Sequence, residues 1–248
     1  MKINQNVNSH LARRGNRKME KEQERKIVSY LGKLIRDHFG KGSTSLYVSI
    51  TPPFLTVYLR GFISPAEQTL VRQKEETRVF ETRNLLMVEL FPTIKSGFWE
   101  KKINLKELYF DWKLEKHTGM IWGLIDNDTK STSFSWPEHI DNKNLESDII
   151  KMSQTIQKAP LHTEVFWIND RTVLIHREGI FVEIEKSLIE LGYTEELRTA
   201  KRPLEEKGLY KFLSEPTLKK RLREAFFDWN FSEDKGHIIL ILAPDFNS

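Results

Sequence analysis

Apolar residues alternate with polar ones through Leu108, Phe110, Trp112 and Leu114, against Tyr109, Asp111, Lys113 and Glu115. A period of two predicts a strand with one apolar and one polar face. Lys116 to Gly119 makes a turn. The run Ile121 to Ile125 is apolar on both faces, which predicts a central strand covered from both sides. The pattern returns near the end of the chain. Leu105, Glu107, Phe110, Asp111, Trp112, Gly119 and Ile121 recur as Leu222, Glu224, Phe227, Asp228, Trp229, Gly236 and Ile238, at a constant offset of 117 residues. Such a recurrence indicates an internal duplication.

The elements upstream fit the same plan. Ile27, Leu31, Leu34, Ile35 and His38 fall at helical spacing, and Gly40 suits the end of that helix. Leu46–Ile50 and Leu55–Leu59 flank the turn Thr51-Pro52-Pro53, predicting a hairpin. Ser64-Pro65-Ala66-Glu67 is a helix start with a reciprocal capping box. That helix is expected to reach about Glu76. A second helical region runs from Val79 to about Phe91, with Pro92 as its expected stop. In the second copy, Leu145, Ile149, Met152 and Ile156 define a helix. Val165–Ile168 and Thr172–Ile175 flank Asn169-Asp170 as a hairpin. Gly179, Glu185 and Leu188 match Gly61, Glu67 and Leu70 at an offset of 118. A polar segment from Leu197 to Lys207 and two short helical pieces broken at Pro216 lead back to the last hairpin.

The fold class expected is therefore α+β: two tandem helix–hairpin–helices–hairpin units, each with a mainly antiparallel sheet. The boundaries are a disordered basic tail over 1–18, a first domain over 19–126, a polar linker over 127–143 and a second domain over 144–248. Phe134 and Trp136 are placed to dock the linker. Because a twofold dimer is the commonest assembly of identical units, the two copies are expected to pack about a pseudo-twofold axis.

Composition then removes several classes of function. The 248 residues contain no cysteine, so disulfides, thiolate metal sites and a cysteine nucleophile are excluded. The longest apolar run, Ile238 to Ala243, is far short of the roughly 20 residues of a membrane-spanning helix. The net charge is +4, yet residues 1–26 alone carry +5, leaving the rest of the chain at −1. A basic footprint on the folded body is missing, which argues against nucleic acid as a partner. The tail, by contrast, could meet an anionic membrane surface.

Few residues invite a chemical role. Asp111 and Asp228 are repeated acids, and Arg83 is a basic residue that could hold an anion. These three are the candidate ligand or interface residues. Asp111 and Asp228 are expected on a polar strand face, paired with a cross-strand lysine or capping a turn, and Arg83 in a surface ion pair. Glu115 is replaced by Ser232 in the second copy, which weakens a duplicated acid–base site. The seven histidines show no metal-ligand spacing; His176 and His38 are expected to be packing or surface residues. Gly40-Lys41-Gly42-Ser43 lacks the upstream glycine of a phosphate loop and follows a helix instead of a strand. No catalytic, metal or cofactor-binding residue and no cofactor are expected.

With those residues in view, the chain resembles the MpsC-like family of small bacterial domains. The motifs are the helix ending Gly40-Lys41-Gly42, the hairpin, Gly61-Phe62-Ile63-Ser64-Pro65-Ala66-Glu67-Gln68-Thr69-Leu70, Val79, Arg83 and the closing hairpin. The resemblance covers roughly 22–126 and, more weakly, 144–244, where Lys158-Ala159-Pro160 replaces the Gly-Lys-Gly piece. It implies a non-catalytic, cytoplasmic accessory or regulatory protein of a bacterial membrane cation or inorganic-carbon transport system, peripheral to the membrane, with a membrane transport protein as partner. The alternative is a small-ligand-binding or enzymatic protein with its site between the copies.

Overall fold

The computed structural model describes residues 3–126, 134, 136, 137, 140–213, 218 and 220–244, with 3–20 described in backbone only. Helix α1 spans Ile3–Phe39, and β1 (Ser45–Thr51) and β2 (Phe54–Arg60) form a hairpin. Helices α2 (Pro65–Arg72) and α3 (Glu76–Glu100) follow, then β3 (Leu105–Lys113) and β4 (Thr118–Ile125). The same order returns as α4 (Asn142–Ile156), β5 (His162–Asn169), β6 (Thr172–Glu178), α5 (Glu183–Glu190), α6 (Thr194–Phe212), β7 (Leu222–Asn230) and β8 (Lys235–Leu242). The strands form two four-stranded sheets, ordered β1-β2-β4-β3 and β5-β6-β8-β7. The apolar strands β4 and β8 are inner strands, as their two-faced patterns predict. The fold is α+β with two similar units.

The chain divides into one compact unit of Met1–Leu108 and Trp112–Lys130, and another of Tyr109–Asp111 and Ser131–Ser248. Three residues in the middle of β3 thus belong with the second unit. In the first unit, α1 packs on β1 and α3, and α2 on α3. Its interior includes Ile27, Leu31, Leu59, Met87, Phe98 and Trp122. In the second unit, α4 and α5 pack on α6, which lies on β7, over a core of Ile149, Val173, Phe227, Ile238 and Leu240. Phe134 stacks edge-on against Phe166, and Trp136 lies against Trp167, so both linker aromatics dock on β5. Most of the predicted linker lies outside the described residues, and α4 already begins at Asn142, capped by Asp141.

The capping box at Ser64 is formed as predicted: Ser64 N donates to Glu67 Oε2 at 2.7 Å, and Glu67 N to Ser64 Oγ at 3.3 Å. Gly61 and Gly179 both take positive φ, 62° and 65°, at the end of the second strand of each unit, where a residue with a Cβ would be strained.

Four elements depart from the sequence reading. Residues 3–18 are helical, continuing α1 backward, rather than a disordered tail. Leu11 to Lys26 is rich in strong helix formers and has no proline, and Glu22 pairs with Lys26 one turn on. Helix α2 stops at Arg72, short of Glu76, with Lys74 in a left-handed conformation. Helix α3 passes through Pro92 to Glu100. Its buried stripe, Met87, Leu90, Ile94 and Phe98, continues across the proline, and that burial outweighs the roughly 3 kcal/mol cost of an interior proline. Helix α6 is likewise one helix through Pro203, where a polar segment and shorter pieces were expected; Pro216 lies outside the described residues.

Candidate functional site

The repeated Gly–x–x–x–x–x–Glu segments place a glutamate at the third position of α2 and of α5, where its carboxylate bonds back to the chain entering the helix. In the first unit Glu67 also faces α3. Arg83 Nε donates to Glu67 Oε1 at 2.7 Å and Nη2 to Oε2 at 3.0 Å, a two-pronged pair that fixes both planes. Nη2 also donates to the Phe62 carbonyl at 3.0 Å. The guanidinium lies over the rings of Phe62 and Trp112, 4.5 and 5.0 Å from their centroids. Arg83 is fully buried, so the surface ion pair expected for it is an interior one. Burial opposes ionisation of Glu67, but the hydrogen bond and charge of Arg83 outweigh it and lower the carboxyl below its usual range.

The second unit rebuilds this pair with a different cation. Lys201, 118 residues after Arg83, places Nζ 2.8 Å from Glu185 Oε1. Its ammonium lies over Phe181 and Trp229, 5.0 and 5.7 Å from their centroids. Glu185 also accepts from Val182 N and Gln157 Nε2, both at 2.9 Å. Desolvation lowers the lysine pKa, with Glu205 and Glu185 acting against it. Next to this pair lies a polar group with no charged counterpart in the first unit. Arg177 and Glu205 form an ion pair, both nearly inaccessible to solvent. Arg177 Nη1 donates to Ser153 Oγ at 3.0 Å, and Trp229 Nε1 to Glu205 Oε1 at 3.1 Å.

Asp111 and Asp228 both lie in the second unit. Neither is on a solvated strand face: Asp111 is fully buried and Asp228 nearly so. Asp111 accepts from Phe227 N at 2.9 Å and pairs with Arg202 Nη2 at 2.9 Å. Asp228 accepts from Phe110 N at 2.9 Å and from Trp229 N at 2.8 Å, and pairs with Arg198. The expected partner, a cross-strand lysine, is replaced by arginines of α6. The alternation along β3 misleads here because Tyr109, Asp111 and Lys113 are buried together with Trp112.

The histidines of β6 and β8 are joined. His176 Nδ1 and His237 Nε2 are 2.7 Å apart, and His176 Nε2 is 3.0 Å from Glu178 Oε1. The Tyr109 ring lies 4.2 Å from that of His237. Burial, then the charges of His176, Arg177 and Lys235, hold His237 well below the ordinary histidine pKa. His176 is therefore the centre of a polar chain, not a packing residue. Among the described residues, no three His, Asp or Glu are placed to hold a metal ion.

The structure thus brings none of the three sequence candidates to an open site; each is engaged within its own unit. Sequence reasoning overlooked Lys201, Arg177 and Glu205. A signal existed for the first: the 118-residue offset that aligns Glu67 with Glu185 also aligns Arg83 with Lys201.

These arrangements define a two-unit α+β protein whose charged residues brace helices against sheets. Residues 19–127 match the family model described as Na+-translocating membrane potential-generating system (MpsC). The matched segment starts within α1 and ends just past β4; residues 128–248 lie beyond it. No curated protein and no solved structure matches the chain.

Proposed function

We propose that the chain is a non-catalytic accessory or regulatory component of a membrane cation-transport system, acting from the cytoplasmic side as a peripheral partner of a membrane protein. The observation that carries this reading is the match of residues 19–127 to a family described by a Na+-translocating, membrane-potential-generating system. Two features support it. No described helix is long and apolar enough to cross a membrane, so a membrane role would be exercised through a partner. The carboxylates of Glu67 and Glu185 are engaged in ion pairs that tie α2 to α3 and α5 to α6, and Glu205, Asp111 and Asp228 are paired with arginines. The second unit is, on this reading, a diverged copy of the matched one.

The test is a deletion in the native cells. Inverted membrane vesicles from the deletion strain should lose most of their Na+-dependent membrane potential, read with a potential-sensitive dye. Re-expression of the full chain should restore it, and the chain should sediment with the membranes after mild cross-linking. An unchanged potential, with the chain wholly in the soluble fraction, would reject the proposal.

A further inference from the structure

The first unit contains a pocket of about 450 Å³ between α1 and the start of β1. That volume falls within the range of small-molecule sites and exceeds what a bare inorganic anion needs. Its polar lining consists of Ser29, Lys33, Arg36, Ser43, Thr44 and Ser45, and Val28 and Leu46 supply an apolar part. The lining contains two cations and no carboxylate. Neither Lys33 nor Arg36 forms an ion pair among the described residues, and none of the four hydroxyls has a hydrogen-bond partner there. Two cations thus share an open pocket with four hydroxyl-bearing residues and no acid, and Ser29, Lys33, Arg36 and Thr44 are exposed to an incoming ligand. Gly32 leaves the space open, since a Cβ there would meet nothing within 4 Å. Arg36 is laid across the loop after α1, its Nε 3.4 Å from where a Cβ of Gly42 would be.

The second unit supplies an internal contrast. In the helix, at the 118-residue offset, Gly32 becomes Ile150, Arg36 becomes Gln154 and Val28 becomes Glu146. At the strand, where Leu46 faces Leu59 as Thr163 faces Arg177, the offset is 117, and Thr44, Ser45 and Leu46 become Leu161, His162 and Thr163. Lys151, the counterpart of Lys33, is within 3.8 Å of Asp148. The copy that lost the cavity-opening glycine also lost the arginine and the hydroxyls of Thr44 and Ser45, and gained one acid, Glu146.

We infer that this pocket binds a small phosphorylated molecule, its phosphate held by Lys33, Arg36 and the surrounding hydroxyls and its organic part against Val28 and Leu46. A guanidinium matches two phosphate oxygens at once, lysine adds a point charge, and serine and threonine hydroxyls donate to the remaining oxygens. The site differs from a phosphate loop because side chains, not a glycine-rich backbone at a helix N-terminus, make the contacts. The inference stands on the pocket alone and does not depend on the transport reading.

The experiment is calorimetric titration of the full chain with inorganic phosphate and with glycerol 3-phosphate, and sedimentation with phosphatidylglycerol vesicles. Saturable binding of glycerol 3-phosphate, tighter than inorganic phosphate, is expected. R36Q, which installs the residue of the second unit, should weaken it at least tenfold, and so should G32I, which fills the space. Q154E in the second unit should leave it unchanged. Thermal unfolding of each variant shows whether it is folded, and two independent variants guard against one that is not. Binding to vesicles but not to soluble phosphates, lost in R36Q, would place the phosphate on a lipid headgroup. No saturable binding of any probe, or binding that both R36Q and G32I leave intact, would overturn the inference.

Discussion

The two units place different chemistry at the same three positions. In the first, Ile35, Leu59 and Met87 are buried apolar side chains from α1, β2 and α3. In the second, their counterparts at the 118-residue offset are Ser153, Arg177 and Glu205, equally buried and bonded to one another. The positions are equivalent in the sheets: Leu59 stands opposite Gly119, and Arg177 opposite Gly236. By contrast, the ion pair between the second and third helices survives in both, as Glu67–Arg83 and Glu185–Lys201. The difference teaches that strand and helix pattern fix the frame, while the contents of a buried site can change from apolar to charged when all members change together. A guanidinium placed alone among Ile35 and Met87 would be an unpaired buried charge; with Glu205 and Ser153 its bonds are made.

The sharpest way to break the comparison is to remove one member of the charged trio. Glu205→Ala leaves Arg177 buried without its carboxylate and should destabilise the second unit by about 3–5 kcal/mol. Urea unfolding followed by tryptophan fluorescence measures it, and a loss near zero would show that Arg177 escapes to solvent. Converting the trio together, S153I/R177L/E205M, should recover most of that loss, because well-packed apolar groups commonly replace a buried ion pair with little net cost or a gain of about 1–4 kcal/mol. If the triple variant is no more stable than Glu205→Ala alone, the two units differ in shape at this point and the equivalence fails.

A smaller effect is expected where the units agree. Arg83→Lys installs the cation of the second unit in the first. It keeps the charge but loses the two-pronged geometry and the bond to Phe62 O, and should cost about 1–3 kcal/mol in the same assay. A silent substitution would mean that charge alone holds α2 to α3.

The smallest and most specific effect concerns pH. His237 and His176 occupy the positions of Met120 and Tyr58 in the first unit. The folded protein holds His237 neutral, with a pKa well below 6.5, so the unfolded chain binds a proton there first as pH falls. Its contribution is therefore fully present above about pH 6.5 and declines below it, at up to about 1.4 kcal/mol per pH unit for one proton. His176, Glu178, Arg177 and Lys235 surround the ring and set how far the window extends. His237→Met should flatten the decline between pH 6.5 and 5 without moving stability at pH 8 by a comparable amount. An unchanged slope would assign the acid lability elsewhere.

Much of this molecule follows from short-range rules. The capping box at Ser64 and the turn residues flanked by strand-forming runs are local patterns, and local patterns specify helix starts and hairpins directly. The inner position of β4 and β8 follows too, since strands apolar on both faces must be covered on both. Asp111 and Asp228 were visible as repeated acids. Their burial was not, because an aspartate next to a core tryptophan looks alike whether its strand face meets water or the arginines of a helix some 90 residues away in the chain, as Arg202 is from Asp111.

What the sequence by itself determined is thus the order of most elements and their recurrence in two similar units. What only the tertiary structure decided is which charges are interior and which space is left open. Helix α3 continues through Pro92 because its apolar stripe finds a core on both sides of the proline. Arg83 is buried because Glu67, Phe62 and Trp112, distant in sequence, converge on one guanidinium. Lys33 and Arg36 share a pocket with Ser43 to Ser45 because α1 packs along β1. In each case the energy of a residue depends on partners that packing supplies, and a one-dimensional pattern carries no record of them.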